Sequence, residues 1–197
     1  MICCTHRTID RYESLKPAVF LDRDGTLTEY RGFITKPSQI QLAENACESL
    51  QSLRSAGFAI VLITNQSAIG RGMITHDQLH EIHSELTAQL TTGNAQLDAI
   101  YYCPEAPIGS DETIIESPNR KPGPGMLLAA ARDLNLDLPR SWMIGDRVSD
   151  ILAGQNAGCR GNILINSDRL TSDCELSSDY ETRNTLVEAA AIILNSC

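Results

Sequence analysis

The sequence predicts an α/β protein built on a doubly wound, Rossmann-like parallel sheet with strand order 3-2-1-4-5. Three observations predict it. Short, wholly apolar runs such as Ala18-Val19-Phe20-Leu21 and Ala59-Ile60-Val61-Leu62-Ile63 suit strands covered on both faces. Segments of helical periodicity fall between these runs. Three of the runs end in polar residues, at Asp22/Asp24, Thr64/Asn65 and Asp146/Asp150, where open sheets of this class carry their sites.

The elements follow in order. After the first run, Ala46, Leu50 and Leu53 recur at helical spacing, and Gly57 suits a C-terminal stop. Thr75-His76-Asp77-Gln78 reads as a capping box opening a helix with Leu79, Ile82, Leu86 and Leu90 on one face. Leu97 to Tyr102 is a third strand, followed by an irregular stretch from Cys103 to Pro122. Pro124 suits the first turn of a helix carrying Met126 to Leu134. Ser141 to Gly145 is a fourth strand, and a short helix through Ile151 and Ala157 stops near Gly158. Asn162 to Ile165 is a fifth. The Ser/Asp-rich residues 167–181 make a loose connection to an apolar helix over about 183–195. One domain spans 1–197, with its core over about 17–166. Strands one and four flank the point where strand order reverses, so two carboxylate clusters face each other across one crevice.

Composition narrows the class. At 197 residues and 42% hydrophobic, the chain can bury a full core without disulfide or metal staples. Its 16 Lys+Arg against 25 Asp+Glu give a net charge of −9, and no basic run compensates, which argues against nucleic acid and anionic lipid as partners. No stretch approaches the roughly 18 apolar residues of a membrane span. The first residues lack the apolar run of a signal peptide. Seven cysteines, none spaced C-x-x-C, fit reduced thiols better than a disulfide framework. A cytoplasmic monomer acting on a small molecule is the expectation.

Four motifs carry chemistry, and each has a plainer alternative. Asp22-Arg23-Asp24-Gly25-Thr26 sets two carboxylates two residues apart at a strand end, as a nucleophile beside a general acid/base or as an Asp-capped turn. Thr64-Asn65-Gln66-Ser67 could hold phosphate oxygens or merely cap a helix. Arg120-Lys121 lies just before a helix start, where anions bind, but could be a solvated pair. Gly145-Asp146-Arg147-Val148-Ser149-Asp150 offers hard oxygen ligands for Mg²⁺, or helix caps.

In their order and spacing, these four motifs resemble the haloacid-dehalogenase-like hydrolases over about residues 17–166. The Asp22/Asp24 pair favours the phosphatase branch. Phe20-LDRDGTL, Thr64-NQSAIGRG, Tyr101-YCPEAPIGS and Arg120-KPGPGM are similar to the D-glycero-D-manno-heptose-1,7-bisphosphate 7-phosphatases, with histidinol-phosphate phosphatases the nearest relatives. The resemblance implies that Asp22 forms an aspartyl-phosphate and that Asp24 first protonates the leaving oxygen and then activates water. It implies Mg²⁺ held by Asp22, the Asp24 backbone carbonyl and Asp146. Thr64, Asn65, Arg120 and Lys121 would hold the phosphate, with Asp150 and Arg147 in support. Tyr30, Arg31, Gly32, Phe33, Gln66 and Ser67 would touch the substrate, with Arg71 near it.

One departure stands out. The family's long loop usually holds structural zinc through Cys-x-His and Cys-x-Cys. The matching positions here are Cys103, Glu105, Ser117 and Asn119, a poor set for Zn²⁺, so structural zinc is expected to be absent. Insertions of about 20 residues or fewer are too short for a cap domain, so loops alone should cover the site. The expected activity is Mg²⁺-dependent removal of the 7-phosphate from the heptose bisphosphate. Histidinol-phosphate hydrolysis is one alternative, and a catalytically silent phosphosugar-binding protein is another.

Overall fold

The protein is described by a computed structural model over residues 15–165 and 180–196. Its elements are strand β1 (Ala18–Leu21), helix α1 (Ala46–Ser55), β2 (Ala59–Asn65), the short α2 (Ser67–Gly70), α3 (His76–Thr92), β3 (Ala99–Cys103), α4 (Gly125–Leu134), β4 (Trp142–Gly145), α5 (Val148–Ala157), β5 (Gly161–Ile165), β6 (Glu181–Arg183) and α6 (Leu186–Asn195). The strands pair in the order β3-β2-β1-β4-β5-β6, parallel throughout. Leu21, the last residue of β1, sits beside Leu62 on one side and Ile144 on the other.

Side chains of the central strands alternate between two packed layers, as strand geometry requires. Val19, Leu21, Ile60, Leu62 and Ile144 join Leu50 and Leu53 of α1, Leu79 and Leu86 of α3, and Ile193 of α6. Phe20, Val61, Ile63 and Met143 join Met126, Leu127 and Ala130 of α4 and Ala153 and Ala157 of α5. Both faces are therefore covered, and this is why β1 and β2 read as unbroken apolar runs.

Local signals set several boundaries. The α3 capping box forms as the sequence suggests: Thr75 Oγ1 accepts from the Gln78 N–H, and Gln78 Oε1 accepts from the Thr75 N–H. Gly158 ends α5 in a left-handed conformation. Pro124 sits one position earlier than expected, as the N-cap of α4.

The predicted order 3-2-1-4-5 holds, with one extension and one shifted boundary. The sheet has a sixth strand beyond the predicted order, because Glu181–Arg183 pair with Ile163–Ile165 along the β5 edge. The last helix accordingly begins at Leu186 rather than near 183, with the Thr185 hydroxyl accepting from the Glu188 N–H at its cap. Most of the predicted 167–181 connection lies outside the described residues. Among the described residues, no helix is long and apolar enough to cross a membrane.

Candidate active site

The polar strand ends converge as the predicted order requires. β1 stops at Leu21, and the Asp22 N–H still bonds the Ile144 carbonyl of β4 at 3.0 Å, so Asp22 leaves the sheet at the β1–β4 junction. Gly25, with φ +93°, turns the chain back at once. Asp146, just past the end of β4, and Asp150, in the first turn of α5, approach from the other side. Asp150 packs so closely on Gly145 that a Cβ there would lie 2.2 Å from its carboxylate. Only glycine leaves room for that approach.

Lys121 arrives from the end of the long loop. Its ammonium is buried and pairs with Asp22 Oδ1 and Asp150 Oδ1, each at 2.6 Å, while donating to the Ile63 carbonyl at 2.7 Å. Asn65 fixes the backbone that carries it: its amide donates to the Lys121 carbonyl at 3.0 Å and accepts from the Lys121 N–H at 3.1 Å. The Asn65 side chain thus holds Lys121 in place. Thr64 is buried beside it and accepts from Gln66 Nε2 at 2.8 Å.

Asp22, Asp146 and Asp150 form a buried group with one carboxylate oxygen from each lying within 4.8 Å of the others. Their charges are incompletely balanced. Burial raises the Asp22 carboxyl to about 6, against the pull of Lys121 and with the Asp150 and Asp24 charges adding to the rise. Burial raises Asp146 to about 8, with Asp22 and Asp150 pushing in the same direction. Burial disfavours the Lys121 ammonium, but Asp150 and Asp22 outweigh it and hold the charge. Three clustered carboxylates with hard oxygens, short of positive charge, suit Mg²⁺.

Asp24 turns elsewhere. Its carboxylate accepts from Arg23 Nε and Nη2, at 2.8 and 2.7 Å, and from Gln66 Nε2 at 3.2 Å. No motif in the sequence marks Arg23, yet it is fully buried, with Nη2 also donating to Gln66 Oε1 and Nη1 meeting His83 Nε2 at 3.2 Å. Burial and the Arg23 charge lower His83 to about 3, so the imidazole is neutral.

These groups open into a cleft of about 440 Å³. Tyr30, Gly32 and Phe33 line one side, with Arg71 stacked over the Phe33 ring at 5.8 Å. Gln66 and Ser67 line the base, and Arg120 and Arg147 stand at the loop side. Arg31 does not line it: its guanidinium pairs with Glu29 at 2.9 Å and bonds Gln41, which turns it outward. Among the described residues, the cleft is bordered by loops, the short α2 and the ends of β2 and α5, with no cap domain over it.

The long loop is held by carboxylates. Glu116 accepts from the backbone N–H groups of Ile108 and Gly109, at 2.9 and 2.6 Å, and lies 3.9 Å from Arg120 Nε. Arg120 donates to the Glu105 carbonyl at 2.7 Å, and Arg147 pairs with Glu112 at 2.5 Å. Cys103 is buried at the end of β3, where burial raises its thiol. The other matched positions, Glu105, Ser117 and Asn119, offer a carboxylate, a hydroxyl and an amide, residue types that do not suit zinc.

Comparison with known proteins agrees with this geometry. A HAD-hydrolase-like family model matches residues 118–189. The D-glycero-beta-D-manno-heptose-1,7-bisphosphate 7-phosphatase of Pasteurella multocida is 39% identical over 167 residues, covering 84% of this chain and 91% of its own. The Escherichia coli enzyme of the same name is 35% identical over 83% of this chain and 87% of its own. A D,D-heptose 1,7-bisphosphate phosphatase from B. bronchiseptica, solved with magnesium and phosphate, superposes with a TM-score of 0.80 at 27% identity, covering 92% and 99% of the two chains. With the carboxylates of β1 and β4 meeting over a buried lysine, and relatives matched over most of its length, the chain belongs to the heptose-bisphosphate phosphatase family of HAD-like hydrolases.

Proposed function

We propose that this protein removes the 7-phosphate of D-glycero-D-manno-heptose 1,7-bisphosphate through an aspartyl-phosphate on Asp22. The observation that carries the reading is the convergence of Asp22, Asp24, Thr64 and Lys121 on one cleft, with Asp146 grouped behind Asp22 and Asp150, in a chain whose relatives bear that activity in their names. Asp22 attacks phosphorus, and the bond to the sugar oxygen breaks as Asp24 gives that oxygen a proton. Water then attacks the acyl phosphate; Asp24 takes its proton, and Asp22 is regenerated with release of phosphate. The Lys121 ammonium and the Thr64 hydroxyl stabilise the transferring oxygens, and Arg120 and Arg147 face the anion from the loop side.

Asp22, Asp146 and the Asp24 carbonyl, with Asp150 beside them, would hold Mg²⁺. When bound, it supplies the positive charge that allows one anion to approach another. We assign Tyr30, Gly32, Phe33, Ser67 and Arg71 to the sugar side, and Gln66 and Asn65 to holding the catalytic groups. The protein would work without structural zinc, as a cytoplasmic monomer, with no nucleic-acid or membrane partner.

One observation favours a second substrate. Asp111 lines the cleft and is bonded by Thr113 rather than by a cation, which suits it to the cationic amine of histidinol phosphate. Phosphate release with Mg²⁺, comparing kcat/KM for the two esters, decides between them. A hundredfold preference for the heptose bisphosphate, worth about 2.7 kcal/mol in the transition state, is expected. The reverse preference assigns the same catalytic residues to histidinol phosphate. Binding of both without release would make the protein a silent phosphosugar binder.

A further inference from the structure

Among the described residues, Arg23 is the largest side chain with no exposure, and it lies between the two aspartates at the end of β1. A buried guanidinium needs partners for its fork of N–H donors. Arg23 has them on three sides: both Asp24 oxygens, Gln66 Oε1 and His83 Nε2. Guanidinium only donates, so His83 Nε2 accepts and its ring proton sits on Nδ1. Gln66 is fixed in the same way, with its oxygen toward Arg23 and its nitrogen toward Asp24 and Thr64. The side chain of Asp24 remains 22% exposed while that of Arg23 is wholly covered. The ion pair therefore joins the interior to the cleft, and its open end is Asp24.

We propose that Arg23, locked by His83 on α3 and by Gln66, is a positioning residue that orients Asp24 for the second half of the reaction. The inference rests on Asp24 being the proton-transfer group. In each of the three bonds that join Asp24 to Arg23 and Gln66, Asp24 is the acceptor, so the clamp presents a carboxylate whose oxygens accept. That is the form that receives a proton from the attacking water as the water oxygen bonds to phosphorus and the phosphorus–oxygen bond to Asp22 breaks. A bidentate fork fixes the plane of the carboxylate as a single contact cannot. Misplacing such a group by about an ångström costs on the order of 10²-fold in rate. In the first half Asp24 is instead a donor, and the clamp offers its O–H no acceptor, so losing the clamp slows the second half more.

The test uses whichever of the two phosphate esters the protein turns over faster. Arg23→Lys keeps the charge and loses the fork; His83→Leu removes the acceptor behind it; His83→Gln keeps an acceptor. Acid quench during steady-state turnover, followed by intact-mass measurement, gives the fraction of protein held as the acyl phosphate. Arg23→Lys and His83→Leu are expected to lower kcat about 10- to 100-fold, to lower KM with it so that kcat/KM stays within about threefold, and to raise the phosphorylated fraction to most of the protein. His83→Gln should recover most of the rate. A loss of kcat with no rise in phosphorylated protein overturns the proposal and leaves Arg23 a structural residue. Should Arg23→Lys fail to fold, His83→Leu carries the same readout. Asp24→Asn separates the two levels: wild-type turnover in that variant sinks the role of Asp24 itself, whereas slow turnover there beside an unaltered phosphorylated fraction in the clamp variants sinks only this inference.

Discussion

Arg120 and Lys121 are neighbours in the chain, yet their side chains belong to regions built on different principles. The Lys121 ammonium lies in the floor of the cleft, paired with Asp22 and Asp150 at 2.6 Å and excluded from water. Arg120 stands at the rim, bonded to one loop carbonyl and 3.9 Å from Glu116. In the floor, charges anchored to strand ends are desolvated, and each depends on the others. In the rim, charges brace a loop against itself within reach of solvent, where ion pairs are worth little singly. The floor is therefore suited to hold chemistry fixed, and the rim to choose what reaches it.

Breaking the floor should have the largest effect. Asp22→Asn is expected to reduce turnover on the order of 10⁴-fold or more with the fold intact, measured as phosphate release beside circular dichroism. Substantial residual activity would remove Asp22 as nucleophile.

A smaller effect tests the charge balance of the same region. Asp22 and Asp146 are raised to about 6 and about 8 when no cation is bound. A buried acid raised in this way keeps its proton in the fold where the unfolded chain has lost it. The metal-free fold thus loses stability as pH climbs from the ordinary carboxylate range through about 8. A divalent cation must displace those protons, so Mg²⁺ should bind about tenfold or more tightly at pH 8 than at pH 6, and its increment in Tm should grow in step. Calorimetric titration at the two pH values checks this, and equal affinities would place the cation away from Asp146.

The smallest effect belongs to the rim. Glu116→Gln retains shape but weakens the hold on the Ile108 and Gly109 N–H groups. We expect KM to rise about three- to tenfold with kcat within about twofold. A fall in kcat instead would mean that the loop helps to set Lys121.

The same contrast governs what could be read from the sequence. β1, β2 and β4 were legible because unbroken apolar runs mean a sheet covered on both faces, and carboxylates at their ends then have one place to go. β6 was not: Glu-Thr-Arg carries no apolar signal, and only pairing with β5 makes it a strand. Asp150, four residues after Asp146, was legible as a second hard oxygen ligand, and the turn onto Gly145 is what brings its carboxylate into the acidic group. Arg23 gave no signal because an arginine in an Asp-Gly turn reads as a solvated charge; its burial depends on His83, 60 residues on. Arg31 was expected in the cleft with its neighbours, but Glu29 and Gln41 draw it outward.

The two bonds between Asn65 and the Lys121 backbone have one more consequence. The long loop leaves β3 at Cys103 and returns at Lys121, so any insertion, deletion or shift within it would otherwise be passed along the chain to the ammonium. Asn65, at the end of β2, pins that return point to the sheet from a position 56 residues away. The loop is thereby mechanically decoupled from the residue it precedes. Its length and composition can drift, a metal site included, without retuning the machinery next to it.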